Sequence, residues 1–176
     1  MKNKLSLLIV APIMLTSVNA LAGTSAGASQ DWNGYFKGQC ELSSPKRGVF
    51  YTFPMSLEID DVTKKKADWI ITYGEGQTQQ IRNYTLLEVD SDLGHYAVDE
   101  NNGIVIDQYL IGNEFMSLFE VGSTKIQTTY TLDSNGTMDV SMESFTFDPV
   151  RENNVGAYTV SSYALKTKQK CRLYKW

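Results

Sequence analysis

Histidine is almost missing from this chain. His95 is the only one, and just two cysteines, Cys40 and Cys171, join it in 176 residues. A zinc site usually draws several ligands from these two residue types, so no metal is expected. A Ser-His-Asp triad would have to use His95, and no serine stands in a Gly-x-Ser-x-Gly elbow. Gly74-Glu75-Gly76 lacks the lysine and helix of a phosphate-binding loop. Basic residues are outnumbered, 16 against 20 acidic, for a net charge of −4. That balance argues against nucleic acid, whose phosphates need a basic surface, and against docking on anionic lipid. Lys64-Lys65-Lys66 is the one basic run and reads as a solvated loop. After the first two dozen residues no apolar run is long enough to span a bilayer as a helix.

Paired carboxylates occur at Asp60-Asp61, Asp90/Asp92 and Asp99-Glu100, all at strand ends or turns, where acidic residues solvate loops. A glycosidase needs two carboxyls facing one another across a cleft. No catalytic residue is assigned on this reading, and no cofactor is expected.

The N-terminus has the grammar of an export signal. Lys2 and Lys4 precede an apolar stretch from Leu5 to Val18, and small residues follow at Ala20 and Ala22. A signal peptide over residues 1–22 is expected, with a periplasmic or secreted product. Residues 23–30 read as a small-residue tail, and residues 31–176 as one domain. In an oxidising compartment Cys40 and Cys171 are expected to form a disulfide. A redox pair would favour a close Cys-x-x-Cys, which the chain lacks.

The rest alternates with period two. Val49, Tyr51, Phe53, Met55, Leu57 and Ile59 share one parity, with Pro54 on the other marking an edge or bulge. Trp69, Ile71 and Tyr73 repeat the pattern, as do Ile126 to Leu132 and Met138 to Met142. Phe145 and Phe147 then switch parity, which suggests a bulge near Glu143-Ser144. Tyr84–Val89, Tyr96–Val98, Ile104–Leu110, Phe115–Val121 and Tyr158–Leu165 complete the set. Turn residues separate these runs, among them Asn102-Gly103, Gly112-Asn113, Gly122-Ser123, Asn135-Gly136 and Asn153-Asn154-Val155-Gly156. Connections this short join antiparallel neighbours. The expected fold is all-β: a single antiparallel up-and-down β-barrel of about ten strands, closed by pairing of the first and last strands.

Trp32-Asn33-Gly34 at the first strand, the meander of hairpins and the late Arg172 resemble the calycins, the group of lipocalin, avidin and nitrobindin-type barrels. The resemblance implies an Arg172 packed over Trp32, although parity sets Arg172 on the face opposite Cys171. It also implies an interior that takes a small molecule. Nitrobindin-type barrels hold haem through a histidine near the C-terminus, and no histidine follows residue 95.

Aromatic residues are the richest signal: ten Tyr, seven Phe and three Trp. A barrel of this strand number can be too wide to fill with side chains. Inward Thr128, Ser117 and Ser162 would then be polar groups on aromatic walls, the usual make-up of a pocket. The expected ligand-binding residues are Trp69, Tyr73, Tyr96, Phe115, Ser117, Phe119 and Tyr130. The expected function is binding of a small, mostly apolar molecule. The alternatives are a protein-interaction or inhibitor module acting through hairpin loops around a solid core, and an enzyme with unremarkable residues.

Overall fold

The computed structural model describes residues 31–60, 62 and 64–176. The expected signal peptide and tail, and Asp61, lie outside the described residues. Twelve strands run in chain order: β1 Gly34–Ser44, β2 Gly48–Ile59, β3 Lys66–Tyr73, β4 Gln80–Asp90, β5 His95–Asp99, β6 Val105–Ile111, β7 Glu114–Val121, β8 Thr124–Leu132, β9 Thr137–Thr146, β10 Arg151–Val155, β11 Tyr158–Ser162 and β12 Leu165–Lys175. The only helical pieces among the described residues are short 3₁₀ turns at Gly76–Thr78 and Ser91–Leu93.

Ten strands close an antiparallel barrel in the order β1-β12-β9-β8-β7-β6-β5-β4-β3-β2, so the first and last strands pair. In that seam Cys40 lies directly opposite Cys171. The two form a disulfide, with Cα atoms 4.0 Å apart and both side chains buried. Two positions along β1, the backbone carbonyl of Arg172 occupies the space a Cβ on Gly38 would need. Glycine there lets the seam strands lie this close.

The remaining two strands, β10 and β11, form a ribbon outside the barrel. This corrects the sequence reading twice. The Tyr158–Leu165 stretch is mostly ribbon, not barrel wall, and Ser162 is exposed instead of inward. The turn is not Asn153-Asn154-Val155-Gly156. Those first three residues are strand, and Gly156-Ala157 makes a two-residue turn with Gly156 at positive φ. The irregularity expected near Glu143-Ser144 is present in the β9–β12 ladder, between the Ser144–Thr167 and Phe145–Leu165 pairs. The β8–β9 ladder runs through it unshifted, and the irregularity is on β12, between Leu165 and Thr167.

The two barrel ends differ. Where β1 begins and β12 ends, Trp32 inserts from the segment before β1. Its ring packs edge-on against Phe115 at 4.7 Å, and Phe115 meets Trp69 at 5.7 Å and Tyr96 at 5.2 Å. Phe36, Leu57, Ile59, Leu132, Met138 and Leu173 fill the space around these rings. Asn33 Oδ1 accepts from the Val62 amide at 3.0 Å, and Lys175 pairs with Asp31 at 2.7 Å, holding the segment across this end. Arg172 does not reach Trp32. It points outward and donates twice to Asp139, at 2.8 Å each.

The opposite end is less filled. There β2 outruns its neighbour: β3 pairs only with Met55–Ile59, leaving Gly48–Pro54 without a β3 partner. Pro54 sits where that ladder stops, and its carbonyl accepts from the Gly74 amide. A missing N–H is tolerated at such a position. Beyond it Val49 and Tyr51, expected inward, are exposed at 52% and 58%. The wall thins again between β6 and β7, whose ladder has three pairs and ends at Tyr109–Met116.

Candidate functional site

Above the aromatic floor lies an inner chamber of about 150 Å³. Its walls are Trp69, Ile71 and Tyr73 from β3, Tyr84 from β4, Val98 from β5, Ile106 and Gln108 from β6, Ser117 and Phe119 from β7, Thr128 and Tyr130 from β8, and Met142 from β9, with Glu100 just past β5. A mouth of about 380 Å³ lies toward the open end, between the overhanging part of β2 and the Gly74–Gln80 connection. Leu42, Tyr51, Phe53, Arg82 and Gln169 line it, and Tyr73 and Met142 belong to both spaces.

Strand periodicity places these groups. Ile106, Gln108 and Leu110 are the inward parity of β6, while Val105, Asp107 and Tyr109 face out. Ser117 and Thr128 oppose one another across the β7–β8 ladder and share a hydrogen bond. Such hydroxyl pairs stabilise a sheet face and satisfy buried polar atoms.

The chamber is rich in neutral phenols. Burial pushes the Tyr130 hydroxyl well above its ordinary pKa, nearby Tyr73 adds to this, and a hydrogen bond with Trp69 opposes it. Tyr73 is raised by burial and by Tyr84 beside it, while Gln169 hydrogen-bonds to it. Tyr84 is raised by burial and by Glu100, to which it is hydrogen-bonded. All three stay protonated at neutral pH and offer hydroxyl dipoles, not charge. The one carboxylate on the wall is Glu100, which also accepts from Asn102 Nδ2 at 3.1 Å. Gln108 is 3% exposed, and its Nε2 has no hydrogen-bond partner.

Of the residues expected at a ligand site, Trp69, Tyr73, Ser117, Phe119 and Tyr130 line the chamber. Phe115 and Tyr96 belong to the floor, packed against each other and away from the open space. Tyr84, Glu100, Ile106, Gln108 and Met142 were not singled out by the sequence. Glu100 read as half of a loop pair; it does accept from Asn102 as Asp99 accepts from the Asn101 amide at 2.7 Å, and it lines the chamber as well. Asp90 likewise caps a 3₁₀ turn. The signal that finds Gln108 is its parity: one amide between inward Ile106 and Leu110.

His95 is on the outer wall. Its Nε2 lies 2.8 Å from Asp107 Oδ1 and its ring stacks on Tyr109 at 4.8 Å. Among the described residues no three His, Cys, Asp or Glu side chains are placed to hold a metal ion. No described helix is long and apolar enough to cross a membrane. The barrel's outer face carries exposed Lys37, Glu41, Asp68, Lys170 and Arg172. No protein-family model and no curated protein matches the sequence.

Proposed function

We propose that this protein is an exported, calycin-like carrier that binds a small, mostly apolar molecule in its barrel. The observation that carries the reading is the asymmetry of the interior. One end is stoppered by Trp32, Phe36 and Phe115, while the other leads from an open mouth into an aromatic chamber of about 150 Å³. A core meant only to stabilise would be filled at both ends. An engineered apolar cavity of about 150 Å³ takes up benzene, so the chamber has room for one ring, with the mouth receiving any tail. The Cys40–Cys171 disulfide supports an oxidising, exported location.

The test is binding of N-phenyl-1-naphthylamine, followed by fluorescence. Roughly micromolar affinity is expected for a preformed apolar pocket. Ser117→Trp, which fills the chamber from β7, abolishes it; Met142→Trp serves if that variant does not fold. A folded variant that binds unchanged, or a wild-type protein that does not bind, overturns the reading.

A second reading, a protein-interaction module, is favoured by the β10–β11 ribbon. One ribbon face satisfies itself through Ser161–Glu152 and Thr159–Asn154 hydrogen bonds. The other exposes Val155, Tyr158 and Val160 at 70%, 77% and 54%. Replacing residues 151–162 with a Gly-Ser turn separates the two. Probe affinity is retained where the chamber is the site, and lost where the ribbon is.

A further inference from the structure

The chamber's polar atoms are not scattered, and they restrict what can bind. Gln108 is buried on β6 and lines the chamber, with its amide nitrogen unpartnered. A buried donor without an acceptor is unfavourable, and the penalty disappears when an incoming molecule supplies the acceptor. Ser117 and Thr128 line the same chamber, bonded to one another. One hydroxyl spends its proton on that bond, so the other still has a proton to donate. The chamber therefore presents at least two donors. Its sole carboxylate, Glu100, already accepts from Tyr84 and Asn102. An anion would face that negative charge at low dielectric. A cation would leave the Gln108 donor unmatched.

We propose that the inner chamber takes a neutral, single-ring-sized molecule carrying a carbonyl oxygen, and that this oxygen accepts from Gln108 Nε2. The proposal rests on the interior-binding reading and gives it a ligand class.

Acetophenone and α-methylstyrene provide the test, because they differ only by oxygen in place of a methylene group. Each is titrated into the disulfide-bonded protein and its Gln108→Leu variant, with amide chemical shifts as the readout. The informative quantity is the ratio of the two dissociation constants, since comparing that ratio between proteins cancels the compounds' different water solubilities. In the wild type the ratio favours acetophenone about tenfold more than in Gln108→Leu, the scale of one hydrogen bond to a buried donor. Gln108→Met gives the same comparison if the leucine variant is unfolded. Equal ratios with both compounds bound overturn the Gln108 assignment and leave interior binding standing; this is the result when water serves Nε2. Benzoate binding more tightly than acetophenone overturns the neutral class. If neither compound binds the wild type, the single-ring carbonyl proposal fails; interior binding fails with it only where the naphthylamine probe does not bind either.

Discussion

Removing the seam disulfide should weaken the protein mainly by freeing its unfolded state. Cys40 and Cys171 are separated by 131 positions, and they enclose nearly all the described chain. The loop-entropy relation puts the constraint on the unfolded ensemble at roughly 5 kcal/mol, and measured losses are more often about 2–4 kcal/mol. The double variant Cys40→Ala/Cys171→Ala also removes two sulfurs that lie 3.6 and 3.5 Å from Met55 Sδ. The packing loss is smaller, because the eight-pair β1–β12 ladder flanking the site remains. For a domain this size the expected loss lowers the melting temperature by about 10 °C. Urea unfolding distinguishes the two mechanisms. A cross-linked unfolded chain exposes less surface, so the denaturant slope should be larger in the variant than in the oxidised wild type. A stability loss below about 1 kcal/mol would refute the reasoning. So would a full loss with an unchanged slope, which would locate the effect in core packing. Two titratable thiols in denatured, unreduced wild type would remove its premise.

Two more predictions follow from the stoppered end and the outer wall. Trp32→Ala should destabilise by about 3–5 kcal/mol in urea. Trp32→Phe should lose much less, since it also removes a buried indole N–H that has no partner. The Arg172 guanidinium holds the Asp139 carboxyl below its ordinary pKa through hydrogen bonding and charge, with burial opposing. Its stabilisation is complete above the unfolded value of about 3.9 and disappears as pH falls through the lower folded value. Asp139→Asn should therefore flatten the acid limb of the melting-temperature profile below about pH 4. The change should be small, because the pair is partly exposed. An unchanged acid limb would show that the pair adds nothing.

The barrel was legible because its strands bury one face and wet the other. On β8, Tyr130 and Leu132 are buried. On β9, Met138 and Val140 are buried too, as alternation requires. The paired cysteines marked the closing strands because a seam disulfide needs facing residues on neighbouring strands. The ribbon was hidden by its composition. Asn153 and Asn154 carry the strongest turn propensity in that stretch, yet cross-strand pairing with Val160 and Thr159 holds them extended. Tertiary pairing overrode the local preference. Parity placed Trp69, Tyr73 and Ser117 inward, but it cannot say how deep a residue sits. That is why Phe115 and Tyr96 ended in the floor and not in the chamber wall. Tyr51 keeps the inward parity and lines the mouth, yet it stays exposed because alternation persists along β2 after the opposing wall has ended.

The seam also changes what it means to cut this chain. An ordinary meander barrel is a linear string whose two ends are held by hydrogen bonds alone. Here the string is tied to itself in register, and the ends beyond the knot are fastened again, the Trp176 amide to the Tyr35 carbonyl at 2.9 Å and Lys175 to Asp31. Between the cysteines the polypeptide is a closed ring with no privileged starting point. A protease that severs the exposed ribbon makes two chains, but neither can leave. Each stays bonded to the other through sulfur and shares the ladders of the same cylinder. In an oxidising medium rich in proteases, breakage at the most accessible hairpin would become a nick that leaves the chamber whole.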